Sequence, residues 1–577
     1  MDYLKDTVVL VLGLGESGLA MARWCAGQGA TVRVWDSREA PALTDALAEH
    51  VPAAAWLRGA LTEEALADVK LVLKSPGLSP FDSALAGVLQ RAVATGIPVQ
   101  GELDLFVRAL ADLKAERGYA PKVLAITGTN GKTTTTAMTA QLVARTGKRV
   151  AVAGNIGPTM LQTLADALAL EPVHELPVIE APTPETPEVE LEDIADLQAL
   201  DGAPANEAMV DDDNAPLVEL APPPPALPVF EVLPEVWVIE LSSFQLDGVA
   251  GFETSAGAVL NITQDHLDWH GSMAHYSAAK ARVFGKQGVL VINRDDALVE
   301  ALVPAPEVIK AAVKGRKSTT VERTVVRFGL TAPQRPGDFG LIEENGMAWL
   351  VRARELDETL KRSKGGKGAL AEPEDLLIQR LMPADALRVR GRHNAANALA
   401  ALALATAIDC PLAPMLHGLR EYAGEPHRVQ FIATIDGVDA FDDSKGTNVG
   451  ATVAALDGLG ADKSPAKLLV ILGGEGKGQD FAPLAEGVRR HTRAVATIGR
   501  DAGRIEEALI ATGVPLQRHD TLEAATRWCF AQAKPGDAVL LSPACASFDM
   551  FRNYGHRAEV FVSEVHAIAA DHGGVAA

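Results

Sequence analysis

The fold of this chain is decided by the stretch Ala125-Ile126-Thr127-Gly128-Thr129-Asn130-Gly131-Lys132-Thr133-Thr134. An apolar strand, Val123 to Ile126, leads into the glycine turn, and a helical pattern follows it. Backbone N–H groups of such a glycine-bracketed turn, with the positive end of the helix, bind an anion. Lys132 is placed to reach the outer phosphates of a nucleotide, and the Thr133 hydroxyl to hold Mg²⁺. The stretch predicts an ATP site. Ile126 stands where the full P-loop spacing has glycine, so a Gly-rich strand-to-helix turn without a ligand is the alternative interpretation.

The length of 577 residues predicts about three domains, each with its own core. Hydrophobic residues make up 48% of the chain, yet no apolar run is long enough to cross a bilayer. No cleavable apolar segment follows the acidic residue at position 2, so we expect a cytoplasmic protein without membrane insertion. The four cysteines are widely scattered and form no Cys-x-x-Cys pair, which argues against a structural zinc and against a disulfide framework.

The net charge of −22 is mostly local. Between Glu171 and Glu235 there are 17 acidic residues and no Lys or Arg, and the rest of the chain carries a net charge of only −5. This stretch is Pro-rich and poor in aromatic residues, so it cannot bury enough apolar area to offset its chain entropy. We expect a disordered acidic insertion at about 165–235 and a second, shorter insertion at 355–374. No nucleic-acid partner is indicated.

The N-terminal segment contains a glycine fingerprint. A strand from Thr7 to Leu12 leads into Gly13-Leu14-Gly15-Glu16-Ser17-Gly18, and a second strand ends at Asp36. Taken alone, this pattern is typical of a βαβ unit that binds a dinucleotide, with the acid on a ribose hydroxyl. The pattern predicts a helix N-terminus that can hold a diphosphate, but it does not identify the nucleotide as NAD or another one. Lys74-Ser75-Pro76-Gly77 follows a third strand, either as part of a ligand site or as a simple turn.

The central segment contains acidic residues and a lysine that we expect near the phosphate loop. A buried strand, Val236 to Glu240, ends in a carboxylate, for which Mg²⁺ is a natural partner beside a phosphate loop. Asp265-His266-Leu267-Asp268-Trp269-His270 is either a metal-binding segment or a surface turn. Lys280 is the first Lys or Arg after Arg149, and its default interpretation is a solvated helix face.

From about Glu425 the sequence predicts another α/β domain. Three of its strands end in polar loops, Asp443-Ser444-Lys445-Gly446-Thr447-Asn448, Gly473-Gly474-Glu475-Gly476-Lys477 and Ser542-Pro543-Ala544-Cys545-Ala546-Ser547-Phe548. Such loops converge at one edge of a parallel sheet and predict an anion site. The whole pattern predicts an α/β protein with a Rossmann-like domain at 1–110, a central P-loop-type mononucleotide-binding domain at 111–424 and a Rossmann-like domain at 425–577.

The ordered set of motifs resembles that of the Mur ligases. The motifs are Gly-Thr-Asn-Gly-Lys-Thr, Glu-Leu-Ser-Ser-Phe-Gln-Leu, Gly-Arg-His-Asn-x-x-Asn, Asp-Ser-Lys-x-Thr-Asn, Leu-Gly-Gly-x-Gly-Lys-Gly and Leu-Ser-Pro-Ala-Cys-Ala-Ser-Phe-Asp. The last three, with the glycine fingerprint, resemble the D-glutamate-adding type. The two insertions depart from the family pattern without displacing a motif.

The resemblance implies a set of site residues. The N-terminal domain would bind a uridine nucleotide rather than NAD, through Glu16, Ser17, Asp36, Ser37, Arg38, Gly77 and Asn155. ATP would contact Gly128, Thr129, Asn130, Gly131, Lys132, Thr133, Thr134, Asn394, Asn397, Arg428 and Asp443. D-Glutamate would contact Lys445, Thr447, Lys477, Ser547, Phe548 and Tyr554. Of two Mg²⁺ ions, one would lie on Thr133 and Glu240, and the other on His266 and Lys280, the latter as a CO₂-derived carbamate. Lys132, His266 and Lys280 would be catalytic.

The activity that the resemblance implies is ATP-dependent addition of D-glutamate to UDP-N-acetylmuramoyl-L-alanine through an acyl phosphate, by a monomer in peptidoglycan precursor synthesis. This would tie the chain to cell wall biogenesis, cell shape and division. Three alternatives stay open at this point. They are an amide ligase of the folate polyglutamate type, an NAD-dependent oxidoreductase, and a P-loop protein that only holds ATP.

Overall fold

The computed structural model describes residues 2–172, 229–309, 319–356, 376–389 and 391–572. Within these ranges the chain forms three consecutive α/β units, each built on a sheet of largely parallel strands. No helix among the described residues is long and apolar enough to cross a membrane. All four cysteines are buried free thiols.

The first unit is a five-stranded parallel sheet in the order β3-β2-β1-β4-β5. Its strands are β1 (Val8–Leu12), β2 (Thr31–Trp35), β3 (Ala55–Leu57), β4 (Val69–Lys74) and β5 (Val99–Gln100). Its helices are α1 (Glu16–Gly27), α2 (Thr44–His50), α3 (Ser83–Ala94) and α4 (Glu102–Arg117). The strand order reverses between β1 and β4, so the glycine turn after β1 and the loop after β4 flank the crevice where ligands of open α/β sheets bind.

The second unit contains a six-stranded parallel sheet in the order β13-β10-β9-β6-β8-β7. An antiparallel meander of β14, β15 and β16 packs beside it, and β11 pairs with β12. The strands are β6 (Lys122–Thr127), β7 (Val150–Gly154), β8 (Val236–Glu240), β9 (Ala256–Val259), β10 (Val289–Asn293), β11 (Glu307–Ile309), β12 (Thr319–Val321), β13 (Val325–Phe328), β14 (Phe339–Glu344), β15 (Met347–Glu355) and β16 (Leu376–Pro383). The helices are α5 (Lys132–Ala144), α6 (Met160–Leu170), α7 (Ser243–Leu246), α8 (Leu267–His270), α9 (Met273–Ala281), α10 (Ala297–Glu300), α11 (Arg392–Thr406) and α12 (Leu412–Glu421).

The third unit has the strand order β17-β18-β22-β19-β20-β21, in which only β17 is antiparallel to its neighbour. The strands are β17 (Gln430–Ile435), β18 (Val438–Asp442), β19 (Leu468–Gly473), β20 (Thr492–Ile498), β21 (Leu516–Arg518) and β22 (Ala538–Leu541). The helices are α13 (Val449–Lys463), α14 (Leu484–His491), α15 (Ala502–Leu509), α16 (Leu522–Gln532) and α17 (Tyr554–Asp571). Because β18, β22 and β19 are neighbours, their three polar loops meet at one sheet edge, as predicted.

Helix α4 joins the first two units. Its Phe106 ring packs edge-to-face on Trp237 of β8, with centroids 4.9 Å apart, and both side chains belong to one apolar core that extends across the two units. The domain boundary predicted near Leu110 lies inside this helix.

The ends of the acidic stretch are ordered, although we expected no fixed structure from about 165 to 235. Helix α6 continues through Leu170, because Met160, Leu161 and Leu164 are buried in the core. The carboxylate of Glu171 then accepts N–H bonds from Glu231, Val232 and Leu233 at 2.6 to 2.8 Å. The rest of the predicted insertion, residues 173–228, lies outside the described residues. So does 357–375, which contains most of the second one.

Candidate active site

The phosphate loop has the predicted strand-turn-helix form. It lies between β6 and α5, with Gly128 and Gly131 at φ +157° and +81°. A Cβ atom on Gly131 would lie 2.6 Å from Asn397 Oδ1, so α11 packs too closely for any other residue here. The N–H groups of Thr129 and Asn130 donate to the Asn261 carbonyl and side chain at 2.9 and 2.8 Å. These contacts fix the backbone of the loop.

Lys132 begins α5 and turns its amine back onto the loop. Its Nζ donates to the carbonyls of Gly128 and Thr129 at 2.9 and 2.8 Å. Burial lowers the pKa of Lys132, and the nearby Glu240 carboxylate acts in the opposite direction. An ammonium group held here lies where the loop would receive phosphate oxygens.

A cavity of about 320 Å³ lies between the second and third units, with the phosphate loop in its wall. It brings together most of the predicted ATP and metal residues, with two of the predicted D-glutamate residues. The predicted residues that line it are Thr129, Asn130, Gly131, Lys132, Thr133, Thr134, Asn155, Glu240, His266, Asn394, Asn397, Arg428, Asp443, Lys445 and Thr447. Lys280, Lys477, Ser547, Phe548 and Tyr554 do not line this cavity, and neither do the predicted uridine residues other than Asn155.

Glu240 and Thr133 provide hard oxygen donors at this cavity. Glu240 is 2% exposed at the end of β8, and its Oε1 accepts the Asn155 amide at 3.0 Å. The Thr133 hydroxyl accepts a bond from Arg428 of the third unit at 2.6 Å. Within the described ranges no three His, Cys, Asp or Glu side chains form a metal cluster. Magnesium sites in nucleotide-binding proteins use one or two carboxylates, completed by water and phosphate oxygens. The donor set fits such an ion.

His266 and Lys280 lie close to the loop in different settings. His266 has φ +52°, lines the cavity, and has its Nε2 3.5 Å from Asp265 Oδ2. Burial lowers the pKa of His266. Lys280 is 1% exposed in the last turn of α9, with Nζ 2.8 Å from the Gly128 carbonyl and 4.5 Å from the centre of the Tyr276 ring. The solvated helix face, the default interpretation of this lysine, is therefore wrong. Burial lowers the pKa of Lys280 well below its usual value, because desolvation disfavours the charged form of the amine.

The loops of the third unit form a continuous polar edge. Asp443 is buried, accepts the Ser542 hydroxyl at 2.6 Å, and has its pKa raised to about 7 by burial. Lys445 Nζ lies 3.9 Å from the centre of the Tyr554 ring. Glu475 and Ala546 exchange two backbone hydrogen bonds, which hold the loop of Lys477 beside the loop of Ser547 and Phe548. The six predicted D-glutamate residues therefore lie on adjoining loops and on the start of α17.

Sequence reasoning missed Arg557, whose guanidinium is fully buried on α17. It donates to the carbonyls of Ser444 and Cys545 at 2.8 and 3.1 Å and so connects two of the three polar loops. Burial lowers its pKa to about 10. No local pattern could reveal this role, because both partners are backbone atoms that the fold brings in.

The first unit has a pocket of about 1230 Å³ lined by Asp36, Ser37 and Arg38, among others. Asp36 does not offer a free carboxylate to a ribose. Its oxygens accept the N–H of Leu14 at 2.6 Å and three N–H groups of Arg38 at 2.8 to 2.9 Å. These bonds hold its pKa at about 2 against the effect of burial. The dinucleotide interpretation needs that carboxylate on a ribose hydroxyl, so this geometry counts against it. Glu16 and Ser17 begin α1, and Ser17 bonds to the buried Glu102 rather than facing this pocket.

Family models match each of the three units. Mur ligase MurD-like, N-terminal domain, matches residues 7–101, Mur ligase middle domain matches 126–194 and 229–329, and Mur ligase, glutamate ligase domain, matches 427–545. These ranges cover more than half of the chain. The chain belongs to the Mur ligase family.

Relatives match this Mur ligase over nearly its full length. A protein of Albidiferax ferrireducens named UDP-N-acetylmuramoylalanine–D-glutamate ligase is 54% identical over 572 residues, 99% of this chain and 98% of the relative. A protein of Burkholderia mallei with the same name is 52% identical over 571 residues, 98% of each chain.

Solved structures show the three-domain α/β fold of Mur ligases. UDP-N-acetylmuramate-alanine ligase MurC from Thermotoga maritima has a TM-score of 0.50 at 16% identity, over 97% of this chain and 99% of the other. The MurF ligase of the same organism, solved with ADP, has a TM-score of 0.51 at 13% identity, over 98% and 99%. At these identities the likeness concerns the fold alone.

Proposed function

We propose that this Mur ligase adds D-glutamate to UDP-N-acetylmuramoyl-L-alanine, using ATP. The observation that carries the proposal is the shared cavity, in which the phosphate loop faces Lys445 and Thr447 of the third unit. The substrate assignment rests on relatives of 52% and 54% identity whose names specify this ligase. The Asp36 carboxylate already accepts hydrogen bonds from the protein, which disfavours an NAD-dependent oxidoreductase. The match to a glutamate ligase domain disfavours a protein that only holds ATP.

ATP is assigned to the cavity, with its phosphates on the loop from Gly128 to Thr134. Lys132 supplies positive charge to the transferring group, and Asn394, Asn397, Arg428 and Asp443 contact the rest of the nucleotide. Thr133 and Glu240 would hold the first Mg²⁺. His266 and the carbamate form of Lys280 would hold the second. When bound, these ions neutralise phosphate charge.

Lys280 is assigned as a carbamate. A neutral amine is the form that adds CO₂, and burial favours this form because it lowers the pKa of Lys280. The addition forms one N–C bond and releases one proton. The product is an anionic oxygen donor in place of a cation. Natural-abundance protein equilibrated with ¹³C-bicarbonate should give a carbamate resonance that Lys280→Met lacks. Identical spectra for the two proteins would remove this part of the proposal.

The uridine nucleotide is assigned to the first unit, through Glu16, Ser17, Asp36, Ser37, Arg38 and Gly77, with Asn155 toward the sugar. D-Glutamate is assigned to Lys445, Thr447, Lys477, Ser547, Phe548 and Tyr554. Two ammonium groups and three hydroxyls in this set suit two carboxylates.

The reaction has two steps. The alanine carboxylate attacks the γ-phosphate of ATP, which forms an acyl phosphate and releases ADP. Lys132 offsets charge on the transferring phosphoryl group, so the protein contributes mainly position and electrostatics. The neutral amine of D-glutamate then attacks the acyl carbon, phosphate leaves, and the amine proton passes to a base.

In the cell, this activity places the chain in cytoplasmic peptidoglycan precursor synthesis, upstream of cell wall growth, cell shape and division. We propose that it acts as a monomer, because one chain carries all three substrate sites.

The test is phosphate release from ATP with Mg²⁺ and UDP-N-acetylmuramoyl-L-alanine, in the presence of D-glutamate, L-glutamate or no amino acid. Turnover only with D-glutamate, and a product heavier by one glutamyl residue in mass spectrometry, is the expected result. Phosphate release that is indifferent to the amino acid would refute the proposal.

A further inference from the structure

Asn448 connects the third unit to the phosphate loop through both ends of its side-chain amide. Its Oδ1 accepts the N–H of Ala451 at 2.8 Å and caps helix α13. Its Nδ2 donates to Asn130 Oδ1 at 3.1 Å. One side chain thus fixes the start of α13 and holds the tip of a loop that belongs to another unit.

Asn130 is itself held firmly. Its backbone N–H donates to Asn261 Oδ1 at 2.8 Å, and the Asn261 amide donates back to its carbonyl at 3.1 Å. Helix α13 approaches so closely that a Cβ atom on Gly450 would lie 3.0 Å from Asn130 Nδ2. The contact between Asn448 and Asn130 is therefore part of a tight, directional junction between the two units.

Lys445 and Thr447 precede Asn448 on the same loop and line the same cavity. The Thr447 N–H donates to the Lys445 carbonyl at 2.9 Å, so this segment is a compact turn. Any displacement of Asn448 relative to Asn130 moves both residues relative to the phosphate loop.

We propose that Asn448 is a positioning residue for the amide-forming step. The proposal rests on the proposed function. The acyl phosphate forms at the phosphate loop, whereas D-glutamate is held by the third unit. The amine must come within about 3 to 3.5 Å of the acyl carbon, and a misplacement of about 1 Å slows such a step strongly. The hydrogen bond from Asn448 to Asn130 sets this distance.

The experiment separates the two half-reactions. Asn448→Ser retains a helix cap, since serine caps about as well as asparagine, but its hydroxyl is too short to reach Asn130. Rapid quench without D-glutamate measures ADP formation in a single turnover, and steady-state assays measure product. We expect kcat/KM for D-glutamate to fall roughly 3- to 10-fold, as for one lost hydrogen bond, with an ADP burst rate close to that of the unmodified chain.

A double-mutant cycle tests the pair directly. The double variant Asn448→Ser/Asn130→Ala should have the same kcat/KM for D-glutamate as Asn130→Ala alone, because the bond between the two side chains is already lost in the single variant. Thr521→Ala is the matched control, because Thr521 caps α16 through Ala524 at 3.2 Å and does not line the cavity. It should lower the melting temperature without changing the kinetics for D-glutamate.

Two results would overturn the inference. One is an ADP burst that slows as much as product formation in Asn448→Ser, which would assign the residue to the nucleotide site. The other is a strictly additive cycle, which would show that the two side chains act independently. If the unmodified chain forms no D-glutamate product, the proposed function itself fails, so the two failures are distinguishable.

Discussion

Asp443 shows how one buried carboxyl group connects pH to stability. Burial raises its pKa to about 7, against the bond from Ser542 and the charge of Arg428. In an unfolded chain an Asp titrates near pH 4. Between about pH 4 and 7 the folded chain therefore binds a proton that the unfolded chain has released. The contribution of Asp443 to the free energy of unfolding decreases as pH rises across this window.

Asp443→Asn should remove this dependence, because an amide has no proton to lose. As pH rises from 4 to 7, the free energy of unfolding of the variant should increase relative to that of the unmodified chain, by on the order of 1 to 3 kcal/mol. Thermal unfolding at a series of pH values measures this, with the exposed Asp45→Asn as the control for a change of charge. Parallel curves for Asp443→Asn and the unmodified chain would contradict the prediction.

Arg557 illustrates a residue that acts through backbone atoms. Arg557→Met leaves the carbonyls of Ser444 and Cys545 without their charged donor, and should lower the free energy of unfolding by roughly 2 to 4 kcal/mol. Because the two loops carry predicted D-glutamate residues, KM for D-glutamate should rise more than KM for ATP. Arg557→Lys should recover part of both effects. Equal changes in the two KM values would indicate a general loss of stability only.

At the scale of elements, the base of the acidic insertion is closed by one side chain. Three N–H groups, of Glu231, Val232 and Leu233, converge on the Glu171 carboxylate at the end of α6. The Arg149 side chain also donates to the Leu233 carbonyl at 3.1 Å. The chain therefore leaves and rejoins the second unit at nearly the same point.

Replacing residues 174–227 with a short Gly/Ser linker should leave the melting temperature and D-glutamate ligation nearly unchanged, since both anchors lie outside the replaced range. Glu171→Ala should instead lower the free energy of unfolding by about 1 to 3 kcal/mol, because three N–H groups lose their acceptor. Denaturant unfolding and product assays on both variants test this. A linker variant without activity would show that the insertion takes part in the reaction.

Elements with a local pattern could be predicted from the sequence. The strand before Gly128, the helix after Gly131 and the carboxylate at the end of β8 all lie where we expected them. The convergence of the three polar loops also follows from parallel pairing. Sequence could not reveal that Asp36 is bound by Arg38 and Leu14, or that Lys280 is buried, because these facts depend on side-chain directions set by distant packing. It also placed the onset of the insertion too early, because the apolar face of α6 outweighs the acidic composition that follows.

At the scale of the whole molecule, the second and third units are held together across the cavity by polar side chains. Arg428 donates to Thr133 at 2.6 Å, and Asn448 to Asn130 at 3.1 Å. Both contacts fall on the phosphate loop or on the start of α5. A relative movement of the two units would therefore break contacts made by residues that we assign to ATP.

Arg428→Met should favour an open arrangement in the nucleotide-free chain, because a contact between the two units is removed. Small-angle scattering should then give a larger radius of gyration than for the unmodified chain. Arg552→Met is the control, since the Arg552 side chain is 77% exposed. An unchanged radius of gyration in Arg428→Met would show that the remaining contacts are sufficient.

The closed base at Glu171 also has an evolutionary consequence. The segment that follows Glu171 begins and ends at neighbouring positions that are hydrogen-bonded to each other. Residues can therefore be inserted into it or deleted from it without displacing the residues that line the cavity. Selection on catalysis therefore exerts little restraint on length at this position, whereas it restrains Glu171 and the three amides that it binds. Related lineages should differ here in the number and composition of residues, and retain an acidic side chain at the exit of α6.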